Sequence, residues 1–313
     1  MLSFLLRHLA SHLSLLVFYC ASITTKIQDI LVRKFLFISC VLLLTGCSAA
    51  PHFQTPAPTL NAEQALNYKL FENPHIKTES HVQVHLDEAK DITYVQNFGG
   101  GGVALGVALG PIGVLANVGM IQAETDGDVE KLYGKLPLPV ADMFGEAAIN
   151  QAVSYDETAD VRFHPFVMVV RDEDEMLRMG TALIVEIPQP DGTVWNGRYT
   201  HQTSLHLPID DIADGLSDAE HAQIHGAIEQ SFDDIVALYV NDRTGKYTEL
   251  EHVLIESTFL SPRIVFEINA KVLERSDDRV TLRSGAGLIS LPLDGSLELK
   301  SATANKRKKK AKS

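Results

Sequence analysis

Two runs of residues, 181–187 and 193–207, flank Pro188-Gln189-Pro190-Asp191-Gly192. Both runs are rich in β-branched, aliphatic and aromatic side chains, and the five residues between them are turn formers. Proline presets φ, aspartate bonds its own backbone, and glycine accepts positive φ. This is the pattern of a long hairpin. Soon after it, Ser217-Asp218-Ala219-Glu220 matches a capping box, in which hydroxyl and carboxylate satisfy orphan amides reciprocally. The helix it opens is expected to reach about Val240. Its buried stripe is Ile224, Ile228, Phe232, Ile235 and Leu238 or Tyr239. A long hairpin followed by a long amphipathic helix implies a sheet with a helix laid on it.

The remaining elements fit that layering. Residues 139–153 predict a helix with Val140, Met143, Phe144, Ala147 and Ala148 on one stripe and Pro139 in the first turn. Residues 162–170 predict a central strand in which Pro165 marks a start or a bulge. Residues 81–86 and 92–95 predict two further strands. Residues 62–71 predict a short helix from the Leu66 and Leu70 spacing, stopped by Asn73-Pro74. Residues 253–258, 264–273, 279–282 and 288–291 predict strands that extend the main sheet. The expected fold class is therefore α+β: an antiparallel sheet with helices packed on one face, plus a Gly-rich apolar helical segment or hairpin.

That Gly-rich segment is residues 97–122. No charge occurs between Asp91 and Glu124, and Gly102, Gly106 and Gly110 recur every four residues. In a helix they share one face and allow close approach of another backbone. The spacing resembles the glycine-zipper segments of some outer-membrane lipoproteins, with Pro111 interrupting it. Three readings stay open: a helical hairpin turning at residues 110–113, a glycine loop followed by a short core helix, or a kinked membrane span. The P-loop Lys and the downstream acid of a dinucleotide site are both missing, so no cofactor is expected.

Upstream, Arg33 and Lys34 precede a short apolar run from Phe35, which ends in Leu44-Thr45-Gly46-Cys47. A basic flank, a short apolar core and a small-residue cleavage site make an export signal. Leu44-Thr45-Gly46-Cys47 resembles the lipobox of bacterial lipoproteins. The resemblance implies that residues 1–46 are removed and that the Cys47 thiol carries lipid at the new N-terminus. Ser48 beside it implies release to the outer membrane, facing the periplasm. Residues 1–34 hold a second apolar run at 13–21, which is odd for one signal. A start near Val32 gives an ordinary lipoprotein signal; the alternative is a long signal with a basic n-region. Residues 47–60, with Pro51, Pro56 and Pro58, read as a tether. Residues 61–299 read as one domain and 300–313 as a disordered basic tail.

Removal of residues 1–46 takes Arg7, Lys26, Arg33, Lys34 and Asp29, leaving 23 basic and 39 acidic side chains, net −16. Cys20 and Cys40 lie in the removed part and Cys47 is taken by lipid. No disulfide, catalytic thiolate or Cys-ligated zinc is then available. The acidic body excludes nucleic acid as a partner. The tail holds Lys306, Arg307, Lys308, Lys309 and Lys310, a candidate contact for anionic lipid or lipopolysaccharide.

The sequence presents no catalytic constellation. His221 and His225 are at i, i+4 on the capped helix, but Ala222 stands where a zincin needs Glu. His201 and His206, candidate further ligands, have opposite strand parity. His81 and His85 share one strand face and are expected to be exposed. Asp210-Asp211 and the acids at 171–175 lack EF-hand spacing, and Ser204 and Ser231 lack a nucleophile-elbow context. Trp195 and Tyr199 share a strand face, as a core pair or a contact patch. No catalytic, cofactor or metal residue is nominated; the one site residue is Cys47. The expected function is a lipid-anchored, non-enzymatic binding or assembly module with an envelope protein partner. The alternatives are a hydrolase with a His/Asp site assembled only in the fold, and a glycine-zipper membrane oligomer.

Overall fold

The computed structural model describes residues 53–60, 66–71, 81–97, 111–172, 174–260 and 267–301. Cys47, the run 98–110 with Gly102, Gly106 and Gly110, and Lys306 to Lys310 lie outside them. The elements are β1 (Leu66–Leu70), β2 (His81–His85), β3 (Ile92–Asn97), α1 (Pro111–Leu132), α2 (Val140–Asn150), β4 (Val153–Tyr155), β5 (Arg162–Arg171), β6 (Met176–Pro188) and β7 (Val194–Pro208). They continue as α3 (Ile209–Asp214), α4 (Asp218–Arg243), β8 (Glu251–Ser257), β9 (Ile268–Arg275), β10 (Arg279–Ser284), β11 (Gly287–Pro292) and β12 (Leu297–Ser301).

The fold is α+β. Among the described residues the strands form one sheet ordered β12-β8-β9-β10-β11-β7-β6-β5-β1-β4, with β3 also on β5 and β2 on β3. The hairpin β6–β7 pairs from Met176↔Pro208 to Pro188↔Val194. At its turn Asp191 accepts the Thr193 amide at 2.9 Å and Gly192 takes φ +84°. The sheet is mixed: β1 and β3 run parallel to β5, and β11 runs parallel to β7. The parallel β11–β7 pair is what joins the last five strands to the main sheet.

Pro165 lies inside β5 and is paired with Leu183 of β6. On the other edge of β5, Phe163 accepts from Phe71 and Val167 donates to Asp91. Residue 165 falls in the gap between the ladders of β1 and β3, where its missing amide leaves no acceptor unpaired.

Two apolar layers sandwich the sheet. One face carries Tyr94, Phe163, Val167, Leu183 and Tyr199 against Phe144 of α2 and Ile224, Ile228, Phe232 and Ile235 of α4. The stripes expected for α2 and α4 are the buried ones. The opposite face carries Phe166, Met168, Ala182 and Ile184. It meets Val253, Ile255, Val272, Leu282 and Ile289 of the curled C-terminal strands and Phe259 of the turn after β8, with no helix in that layer among the described residues. Each fully buried Val, Leu, Ile, Phe or Met side chain among these contributes about 1.5–3 kcal/mol.

Three elements differ from expectation. Residues 66–70, expected in a helix, form β1, because Tyr68 stacks on Phe163 with ring centroids 4.7 Å apart and meets Phe144 edge-on at 5.5 Å. Leucines at i, i+4 also share a strand face, so their spacing does not choose between the two states. Pro111 opens a helix rather than breaking one, and α1 runs past the apolar segment to Leu132. Its last turns bury Thr125, Asp128 and Leu132. No helix among the described residues is long and apolar enough to cross a membrane. Lys300, expected in the basic tail, belongs to β12 and lies 2.5 Å from Glu256.

The tract read as a tether joins the fold from Phe53 onward. Phe53 and Ala57 are buried, and Arg198 lies over the Phe53 ring at 5.8 Å. The Gln54 amide donates to Asn196, and the Leu60 amide donates to Arg243. The Arg243 guanidinium donates to the Pro58 carbonyl.

Candidate functional site

A cavity of about 320 Å³ opens between α4 and the strands β9–β11. Its helix wall is Asp234, Ala237, Leu238 and Asn241, which recur at helical spacing beside the apolar stripe. Its sheet wall includes Glu274, Arg279, Thr281 and Ser290, and His201 of β7 lies between the two walls.

His201 is held from beneath. Its Nδ1 lies 2.8 Å from Ser231 Oγ, and Ser231 Oγ lies 2.8 Å from Thr181 Oγ1. Thr181 also donates to the Ser231 carbonyl at 3.1 Å. This chain ties β6, β7 and α4 together. On the cavity side His201 Nε2 lies 3.2 Å from Asp234 Oδ2, without the alignment of a hydrogen bond. Ser231 Oγ has one proton to share among Nδ1, Thr181 Oγ1 and the His201 carbonyl oxygen at 3.4 Å; in the arrangement that gives it to Nδ1, the ring proton sits on Nε2 and faces the carboxylate.

Burial, and then the Arg279 charge, push the His201 pKa down to about 3. The Asp234 carboxylate beside the ring has its own pKa raised by burial. The ring is therefore neutral at ordinary pH. Arg279 donates through one NH group to the Gln202 carbonyl at 2.9 Å and to Ser290 Oγ at 3.3 Å. Burial pushes its pKa down, opposed by Asp234, Asp278 and Asp294.

Ser231, His201 and Asp234 are the residue types of a hydrolytic triad in a different order. The hydroxyl is 1% exposed and lies beneath the ring, while the carboxylate is on the open side. A nucleophile has to meet substrate, and this one is packed between helix and sheet.

The other nominated residues stay apart from the cavity. His221 and His225 do not line it, and His225 Nδ1 lies 3.7 Å from Glu229. His206 is exposed and opposite in orientation to His201, as its parity requires. His85 is exposed and 3.4 Å from Thr93 Oγ1. The acids at 171–175 organise a turn: Asp172 accepts from Asp174, Met176 and Arg178, and Arg171 pairs with Glu175. Asp210 pairs with Lys131. No group of three or more metal-ligating side chains gathers among the described residues. Trp195 and Tyr199 are both buried in the helix-side core.

Reading the sequence for local motifs missed Asp234 and Arg279. One signal was there: Ser231 interrupts the apolar stripe of α4 between Ile228 and Ile235, and Asp234 follows three residues later.

Comparison with protein-family models, with curated proteins and with solved structures gives no match.

Proposed function

We propose that this chain is a bacterial lipoprotein whose α+β domain is a non-enzymatic binding module. Lipid on Cys47 holds it at the periplasmic face of the outer membrane. The observation that carries the reading is Leu44-Thr45-Gly46-Cys47 at the end of a short apolar run preceded by Arg33 and Lys34, and the fold starts soon after it. Phe53, six residues after Cys47, is already buried and bonded to Gly285. At no more than about 3.6 Å per residue, the six residues from Cys47 to Phe53 can span at most roughly 20 Å. The membrane contact is thus part of the domain's working geometry. The tail residues Lys306, Arg307, Lys308, Lys309 and Lys310 supply a second contact with anionic headgroups, at about 1 kcal/mol each. An envelope protein is the expected partner.

Labelled palmitate fed to expressing cells tests the anchor. Label is expected on wild type and absent from Cys47→Ala, which leaves the membrane fraction. An unlabelled, unprocessed wild-type product would overturn the reading.

The rival, a hydrolase using His201 and Asp234, is favoured by their 3.2 Å contact. It needs His201 to accept a proton near neutral pH, and a ring with a pKa of about 3 is a weak base for that. Turnover of an ester, amide or phosphoester that disappears in His201→Gln would reverse this preference.

A further inference from the structure

The cavity beside α4 holds opposite charges that do not meet. Asp234 stands on the helix wall and Arg279 on the sheet wall. Each feels the other, yet no ion pair joins them among the described residues. Arg279 is anchored through one NH group to the Gln202 carbonyl and Ser290 Oγ. Its other N–H groups have no partner within the described residues. Asp234 receives only a 3.4 Å contact from Gln230 and the off-line contact from His201. Glu274 adds a second carboxylate on the sheet wall. Between the walls, His201 Nε2 is buried and has no hydrogen-bond partner. A buried polar nitrogen without a partner carries an energetic penalty that a ligand oxygen would relieve.

These features select a ligand by charge. A lone anion would meet Arg279 but also Asp234 and Glu274. A lone cation would meet the two carboxylates but also Arg279. A molecule with one charge of each sign satisfies both walls at once. The volume, about 320 Å³, is at the small end of ligand sites and suits an amino acid or dipeptide.

We infer that this cavity binds a small zwitterion of the amino-acid or short-peptide class, its ammonium on Asp234 and Glu274 and its carboxylate on Arg279, with His201 Nε2 donating to a ligand oxygen. This rests on the reading of the domain as a binding module and names what it binds.

The test is calorimetric titration of the full chain in detergent micelles with glycylglycine. N-acetylglycylglycine (anion only) and glycylglycinamide (cation only) serve as controls. Saturable binding of glycylglycine is expected, with each control at least about tenfold weaker. Arg279→Gln should reduce glycylglycine to the level of the amide, and Asp234→Asn to the level of the acetylated form. Arg279 also braces β10, so Asp234→Asn, a change at the cavity mouth, is the safer variant. The His201 ring resonances, followed by NMR, should shift with the same midpoint. Three results would overturn the inference: no heat and no His201 shift up to about 10 mM, equal affinity for the single-charge controls, or unchanged binding by folded Asp234→Asn. The titration does not need acylation, and Cys47→Ala should give the same isotherm. Cleavage of glycylglycine to glycine would support the site and overturn the non-enzymatic reading, so the two fail separately.

Discussion

Asp242 accepts the backbone amide of Ala57 at 2.9 Å, joining the end of α4 to a segment 185 residues earlier. The same buried carboxylate accepts from Tyr199 at 3.0 Å and from Arg283 at 2.9 Å. One side chain thus closes the N-terminal strap, β7 and β10 onto the helix. Burial and Asp242 raise the Tyr199 pKa well above its ordinary value, so the phenol remains a donor.

Asp242→Ala should therefore destabilise the domain by about 3–5 kcal/mol, because Arg283 loses its buried partner while staying inside. Urea unfolding at neutral pH measures this. Hydrogen exchange at Ala57 and Leu60 should accelerate in parallel. A loss below about 1 kcal/mol would mean that Glu249, 3.4 Å from Arg283, takes over the cation.

The strap also sets the distance to the membrane in the proposed anchoring. Trp195, the single Trp, neighbours Asn196, which bonds Gln54 of the strap at 2.8 Å. In vesicles containing dansyl-labelled lipid, energy transfer from Trp195 should be strong. Inserting a Gly/Ser linker of about ten residues between Ala50 and Pro51 should reduce it, since flexible chain adds reach as roughly 5–6 Å times the square root of its length. Equal transfer in the two proteins would count against a short leash.

Acid should expose the burial of His201. Its folded pKa is about 3, against 6.5 for the free side chain. Above pH 6.5 neither state binds the proton and stability is at its full value. As pH falls from there toward 3, the unfolded chain is protonated first and the fold loses up to about 1.4 kcal/mol per pH unit. Between pH 7.5 and 5 the wild type should lose about 2 kcal/mol more than His201→Gln. Burial also lowers the His164 pKa, but that contribution is common to both proteins. Parallel stability curves for the two would show that the ring is protonated in the fold.

Gly180 sits at the irregularity of the β6–β7 ladder, where the register shifts between Arg178 and Gly180. A Cβ there would lie 2.3 Å from the His201 carbonyl oxygen and 2.8 Å from Phe259. The oxygen is backbone and cannot step aside. Gly180→Ala should cost about 1–3 kcal/mol or more and displace His201 from Ser231, seen in the His201 ring resonances. An unperturbed ring with wild-type stability would show that the bulge can absorb the methyl group.

Much of the architecture is encoded locally. The β6–β7 turn needs only Asp191 and Gly192, and the start of α4 needs only Ser217 and Glu220, which bond reciprocally as a capping box. The stripes of α2 and α4 follow from helical period alone. Such signals are legible because the atoms that satisfy them lie within a few residues of one another. Residues 66–70 were not legible, since two leucines at i, i+4 suit helix and strand alike until Tyr68 finds Phe163. Nor was the direction of β11 against β7, which depends on how the late strands curl over the face opposite α2 and α4.

The cavity belongs wholly to tertiary structure. Its charges come from α4, β9 and β10, and the His201–Asp234 contact spans a helix and a strand that no motif links. The sequence by itself carried the turn, the capping box of α4, the apolar stripes and the lipobox-like segment, since each rests on neighbouring residues. Only the folded chain decided which polar groups face one another across the cavity. That arrangement depends on distances in space, which residue spacing along the chain does not encode.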